Sequence, residues 1–302
     1  METHKKKLVI INPSANSGNS QKMVAAVQEI LRNESVDYMT TSRPAHAVEL
    51  ARNAAGYETV IVIGGDGTVH EVVNGLMTID SDKRPNLALV PSGSGNDSCR
   101  MAGIPLDIAE AITTILTGVP KSFDLGTCNN TYFLNSCSVG IDALVVAKTN
   151  ELKATRKLSG TPLYASALLH VILHNLRSIQ VEISIDDGEP TNQNILLCAV
   201  TNGQTYGSGI AINPSANPTD GQLSVVLVDK VSVAQTLSYL PALAAKKHEK
   251  IKAYHAQNFD HLTLRSTNGG PLVAQRDGEI FTAEKFEFQT IPAGIHILVP
   301  QS

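Results

Sequence analysis

The sharpest chemical signal in the chain is Gly64-Gly65-Asp66-Gly67-Thr68, an aspartate framed by glycines at the end of an apolar run. Without side chains in the way, backbone N–H groups can approach a polyphosphate, and a helix starting just beyond adds positive potential. An acid in that setting repels phosphate unless it holds a cation, a water or a proton. A plain helix N-cap in a tight turn is the simpler explanation, but one glycine would suffice for it. A second loop, Pro91-Ser92-Gly93-Ser94-Gly95-Asn96-Asp97, follows the same design and offers Ser94 and Asn96 as donors to phosphate or ribose. Alone it reads as an ordinary turn. A third, Asn12-Pro13-Ser14-Ala15-Asn16-Ser17-Gly18, closes the first apolar run in the same way. The common dinucleotide and P-loop fingerprints are both missing. His70-Glu71 opens like the zinc motif H-E-x-x-H, but Asn74 stands where the second histidine belongs.

The rear half carries two further sets. Arg276-Asp277-Gly278-Glu279 places two acids about a glycine; by itself Asp-Gly also marks a tight hairpin. Asn217-Pro218-Thr219-Asp220-Gly221-Gln222 can offer oxygens to a hard cation, although a hairpin turn explains the segment better when taken alone. The dense positive clusters are Lys153 with Arg156-Lys157, and Lys246-Lys247-His248-Glu249-Lys250-Ile251-Lys252. Each lysine near an anionic membrane contributes about 1 kcal/mol, but such clusters are more often solvated helix faces. The apolar segment 163–176 reads first as core, and second as the wall of an acyl pocket.

The elements that position these residues follow from hydrophobic rhythm. Short apolar runs at 8–11, 38–41, 60–63 and 87–90 predict buried strands, and 20–32, 45–55, 68–77 and 105–117 predict helices between and after them. This alternation implies a mostly parallel sheet with helices on both sides, whose ligands bind beyond the carboxyl ends of the strands. That is where the glycines lie. After residue 123 the pattern changes to strands at 123–127, 132–135, 180–185, 195–200, 223–228, 261–264, 286–291 and 295–299. With helices near 143–157, 163–175 and 232–240, they suggest a mainly antiparallel, sandwich-like second domain. The expected division is 1–125, with about 293–302 as a candidate to return to it, and 126–292.

Composition narrows the classes. At 302 residues the length prior is two domains, and 42% hydrophobic residues suffice for a large core without disulfide or zinc. The net charge of −4 excludes a nucleic-acid binder working through bulk charge. Cys99, Cys128, Cys137 and Cys198 form no C-x-x-C pair and read as buried small hydrophobes in a reducing compartment. The N-terminal run is too short for a signal-peptide core, and no stretch reaches a membrane span. The expectation is a cytoplasmic protein, or one that sits on a membrane without crossing it.

Taken together, the loops at Asn12, Gly64 to Thr68 and Pro91 to Asp97, and Asp277-Gly278-Glu279, resemble the diacylglycerol kinase catalytic-domain family, relatives of sphingosine and ceramide kinases. Glu71-Val72-Val73-Asn74-Gly75, Phe133-Leu134-Asn135, Gly140-Ile141-Asp142-Ala143, Asn202-Gly203 and Gly207-Ser208-Gly209 extend the similarity along the whole chain. The resemblance implies transfer of the ATP γ-phosphoryl group to a lipid hydroxyl, with diacylglycerol giving phosphatidic acid as the leading case. It places ATP against Asn12, Thr41 (or its neighbour Thr40), Gly64, Gly65, Asp66, Gly67, Thr68, Glu71, Ser94 and Asn96. The acid/base falls on Glu279 with Asp277, and Asp66 is either a base or the organiser of a magnesium network. A structural Mg²⁺ maps onto Asn217, Asp220 and Gln222, where Asn217 replaces the acid many bacterial members carry and so weakens the site. It further implies a membrane lipid and a membrane surface as partners, and a homodimer. An NAD kinase-like enzyme acting on a soluble substrate and a nucleotide-binding regulator without turnover are the alternatives. The lipid-kinase expectation requires the glycine cradle and the rear carboxylates to serve one crevice.

Overall fold

The computed structural model describes residues 6–14, 20–155 and 160–301. Ala15 to Gly18 of the first loop, and Arg156 and Lys157 of the first basic cluster, lie outside the described residues. The chain divides into two compact units, Met1–Phe123 with Ala293–Ser302, and Asp124–Pro292.

The first unit contains β1 (Lys7–Ile11), α1 (Ser20–Ile30), β2 (Val36–Thr40), α2 (His46–Arg52), β3 (Thr59–Gly64), α3 (Asp66–Leu76), β4 (Asn86–Pro91), α4 (Asp97–Met101) and α5 (Ile108–Thr117). Its strands run parallel in the order β4-β3-β1-β2. β3 is buried at every position and β1 at all but its first, the continuous apolar texture of strands covered on both faces. Val9, Ile11, Ile61, Ile63, Ala88 and Val90 meet Met23 and Val27 of α1 and Ile112 and Ile115 of α5 in one core. α2 and α3 pack closely together: a Cβ on Gly75 would stand 2.4 Å from the Val48 carbonyl. That approach is why a glycine sits in mid-helix.

β5 (Val119–Cys128) leads into the second unit, followed by β6 (Thr131–Phe133), β7 (Ser136–Gly140), α6 (Ile141–Thr155), α7 (Gly160–His174), β8 (Ile179–Ile185), β9 (Thr191–Thr201), β10 (Thr205–Tyr206) and β11 (Ile210–Ala211). Then come β12 (Leu223–Asp229), α8 (Val233–Ala244), β13 (Tyr254–Phe259), β14 (His261–Ser266), β15 (Leu272–Arg276), β16 (Glu279–Ala283) and β17 (Lys285–Val299). Pairing here is antiparallel, and β9 is its hub: β8 lies along Thr191 to Ile195, β7 along Leu197 to Thr201, and β12 on the other side. Phe133, Phe286 and Phe288 centre a core between the strands, while Val145, Leu163 and Val171 centre a second core under α6 and α7. β17 carries the chain back, and its Ile297 pairs in parallel with Leu87 of β4.

Several boundaries differ from the sequence expectation for physical reasons. The helix expected at 68 starts at Asp66, so the acid of the glycine loop is its first residue. The short α4 begins at the last residue of the second loop, where no helix is expected, and the next helix begins only at Ile108, where the Asp107 carboxylate accepts from the N–H groups of Ala109 (3.0 Å) and Glu110 (3.1 Å). The runs 286–291 and 295–299 form the single strand β17. β7 and β13 have no signal in the sequence, because one is built of small residues and the other is an exposed Tyr-His-Ala-Gln-Asn stretch without apolar alternation. Among the described residues no helix is long and apolar enough to cross a membrane.

Candidate active site

Parallel strands end on the same side, so the loops after β1, β3 and β4 share one edge of the first unit. Close contacts weld them together. A Cβ on Gly93 would stand 2.7 Å from Gly65 Cα, and one on Gly64 would stand 2.5 Å from Thr68 Cβ. Asn12 Nδ2 donates to Thr68 Oγ1 at 2.8 Å. Asp66 Oδ1 accepts from the backbone N–H of Ser98 at 3.0 Å and from its hydroxyl at 2.9 Å, tying the start of α3 to α4. Asn96, at φ 53°, closes its own loop: Gly93 N–H donates to Asn96 Oδ1 at 2.8 Å, and Asn96 Nδ2 donates to Gly93 O at 3.1 Å. α3 starts on Gly65 with no side-chain cap; Thr68 N–H turns back to Gly65 O at 2.9 Å, which leaves the N–H groups of Asp66 and Gly67 to face an anion. Ser94 is exposed, and Thr41 is half-buried with its N–H donating to Ile11 O at 2.8 Å. Glu71, which the resemblance places at the nucleotide, is spent elsewhere. Its carboxylate accepts from Ala45 N–H at 2.8 Å and Ala47 N–H at 3.1 Å, because α2 starts on the left-handed Ala45 without a cap of its own.

In the second unit Asp277 and Gly278 form the two-residue turn between β15 and β16, with φ of 44° and 92°. Two positive φ values in a two-residue loop are the type I′ signature, so the turn reading of Asp-Gly holds. The aspartate does more than turn the chain. Its Oδ2 accepts from Leu134 N–H at 2.8 Å, and its Oδ1 accepts from Asn135 N–H at 2.9 Å and Ser136 N–H at 3.1 Å. Its own N–H donates to Ser136 O at 2.9 Å. Asp277 is buried and anchors the hairpin tip, while Glu279, the first residue of β16, is exposed.

Behind this hairpin lies a buried polar cluster that sequence reasoning missed. Ser138 Oγ donates to Asp142 Oδ2 at 2.5 Å, Gln275 Nε2 donates to the same oxygen at 3.0 Å, and the Tyr164 hydroxyl donates to Oδ1. Burial pushes the Asp142 carboxyl up from its ordinary value, against the hydrogen bonds of Ser138, Tyr164, Gln275 and Tyr206. Gln275 also accepts from Gly278 N–H at 2.9 Å, which links the cluster to the hairpin turn. Gly207, at φ 59°, presses on the Tyr164 ring, where a Cβ would stand 2.5 Å from Cζ. Asp142, Tyr164 and Tyr206 form the polar corner of a cavity of about 130 Å³, otherwise walled by residues such as Val145, Leu168, Ile172 and Leu240. The segment 163–176 thus supplies both core and cavity wall. Gly-Ile-Asp-Ala was visible in the sequence, but nothing there joined its aspartate to distant tyrosines.

The residues expected to hold a structural cation share one exposed loop. Asn217 Oδ1 accepts from Thr219 N–H (3.2 Å) and hydroxyl (3.0 Å), and Asp220 Oδ1 accepts from Gln222 N–H (3.1 Å). Gln222 Oε1 accepts from Asn258 Nδ2 at 2.9 Å. One carboxylate and two amide oxygens, each engaged within the turn or by a neighbour, do not fit a resident Mg²⁺, which demands near-octahedral oxygen geometry. Asn217 in place of an acid removes the charge that would compete with those hydrogen bonds.

The comparisons with known proteins agree with this organisation. The family model for the diacylglycerol kinase catalytic domain matches residues 6–128, and that for the YegS C-terminal NAD kinase beta sandwich-like domain matches residues 135–299. A Chromohalobacter salexigens protein named "Probable lipid kinase YegS-like" is 30% identical, over 97% of this chain and 93% of its own. A Bacillus subtilis protein named "Diacylglycerol kinase" is 28% identical, over 98% of this chain and 97% of its own. The fold matches that of a Bacillus anthracis diacylglycerol kinase crystal structure with a TM-score of 0.81, at 23% identity over 99% of this chain and 98% of the other. The chain belongs to the lipid kinase family whose members join a diacylglycerol kinase catalytic domain to a YegS-type C-terminal domain.

Proposed function

We propose that the protein transfers the γ-phosphoryl group of ATP to the hydroxyl of a membrane lipid, with diacylglycerol as acceptor and phosphatidic acid as product. The apolar cavity of the second unit carries this reading. Its almost wholly apolar aliphatic and aromatic walls suit an acyl chain. Such a substrate resides in a bilayer, so the enzyme works at a membrane surface.

The cradle of the first unit takes the triphosphate, and Mg²⁺ enters with ATP as part of that substrate. The lipid oxygen bonds to Pγ, the bond from Pγ to the departing ADP oxygen breaks, and the hydroxyl proton passes to Glu279. A loose transition state asks mainly for positioning and charge neutralisation. Asp277, with both oxygens occupied by backbone N–H groups, holds the turn that presents Glu279. Turnover requires the γ-phosphate on the first unit to meet this acid on the second.

The test is γ-labelled ATP with a panel of lipids, including diacylglycerol, and with NAD⁺ in a parallel arm. The expected result is a labelled, chloroform-soluble phosphatidic acid, reduced about 10²–10⁴-fold in Glu279→Gln. Label appearing only in NADP⁺, or tight ATP binding without turnover on any lipid, overturns the reading.

A further inference from the structure

We propose that α8 is a movable cover of the apolar cavity and that, with the lysines following it, it docks on an anionic lipid surface and uncovers the cavity there. This rests on the lipid-kinase reading above and adds where and how the enzyme meets its substrate. α8 is a firmly started helix, with a capping box between Ser232 and Gln235, yet none of its residues is buried. Val233, Leu237 and Leu240 lie only half-buried against the second-unit core. Thr236, Tyr239, Leu240 and Leu243 nevertheless line the cavity, so α8 forms one of its walls with little burial to hold it down. Pro241, inside the helix, has no N–H to give, which weakens the ladder within the last turn.

The charge lies directly beyond that turn. Lys246, Lys247, Lys250 and Lys252 are all exposed, with Glu249 the one acid among them. Between them His248 is buried, with Nε2 3.0 Å from Ala211 O and its ring edge-on to Tyr254 at 5.0 Å. The basic segment is therefore pinned at its middle while the preceding helix is not. In a chain of net charge −4, a local group of lysines selects an anionic surface rather than a generic one. Half-buried leucines and a tyrosine beside those lysines give the helix the composition of an interfacial anchor once it lifts.

The experiment uses the full chain without ATP, so docking is read apart from phosphoryl transfer. Co-sedimentation is measured with vesicles of phosphatidylcholine alone, and of equal parts phosphatidylcholine and phosphatidylglycerol. The chain has no tryptophan, so Tyr239→Trp places a single indole reporter on α8. The expected result is binding to the mixed vesicles only, with a blue shift of that emission. Reversing Lys246, Lys247, Lys250 and Lys252 to glutamate should weaken binding about a hundredfold or more. The four-glutamine variant is the second check on any effect of reversed charge on folding. Equal binding by both variants and wild type overturns the docking surface. Binding of the Tyr239→Trp protein without any change in its indole emission overturns the cover. A change of oligomeric state in the lysine variants, with no change in vesicle binding, assigns the face to a second copy of the chain and also overturns the proposal. Docking and uncovering without a phosphorylated lipid would leave this inference standing and remove the substrate reading alone.

Discussion

At the scale of single residues, the two acids of the hairpin separate by their surroundings. Asp277 accepts three backbone N–H groups in a buried place, and an amide there would turn one NH₂ toward a donor. Asp277→Asn should therefore lose about 1.5–3 kcal/mol of folding stability in urea titration, the range of hydrogen bonds to a charged group. Glu279→Gln should lose activity with its urea midpoint unchanged; equal destabilisation by the two changes would sink the division of roles. Asp142 makes a pH prediction. Burial raises its folded-state pKa above the unfolded carboxylate value of about 3.9, so the folded protein holds that proton more tightly. The resulting stabilisation is complete below the unfolded value and is lost as pH rises through the raised one. Compared with Asp142→Asn, wild type should lose stability over that climb, and parallel profiles for the two proteins would contradict it.

At the scale of elements, the welded loops set the next expectation. A Cβ at Gly93 must push against the backbone of Gly65, and overpacking of this kind costs about 1–3 kcal/mol. Gly93→Ala should weaken ATP binding by about tenfold or more, measured by titration calorimetry; unchanged affinity would separate the loops from the nucleotide. The loop holding Asn217, Asp220 and Gln222 predicts the opposite kind of result. Chelation of divalent cations in the absence of nucleotide should leave the melting temperature where it was. The first unit was the more legible in sequence, because β1, β3 and β4 are uninterrupted apolar runs ending in glycine, proline or asparagine. The cradle was legible for the same reason. Glu71 was not, since its partners at Ala45 and Ala47 come from a helix start that only tertiary packing brings beside it. The Asp142 cluster was hidden likewise: Ser138, Tyr164, Tyr206 and Gln275 are far apart in the chain, and no local spacing relates them.

At the scale of the whole molecule, the return of the chain matters most. Ile295, Ile297 and Leu298 are buried in the first unit, Ile297 pairs with Leu87, and Arg84 Nη1 donates to Gly294 O at 2.7 Å. Three such side chains stabilise by about 1.5–3 kcal/mol each, a sum comparable with the 5–15 kcal/mol of a whole domain. A chain ending at Pro292 should therefore lose the cooperative unfolding of its first unit, read by calorimetry, while the second unit keeps its own transition. Survival of both transitions would contradict this. The same strand fixes an order of events during synthesis. On the ribosome, a nascent chain ordinarily completes its N-terminal domain first. Here the first unit must wait for the segment from Ala293 onward, which is translated only after the whole second unit, so a shorter nascent polypeptide cannot hold a finished set of glycine loops.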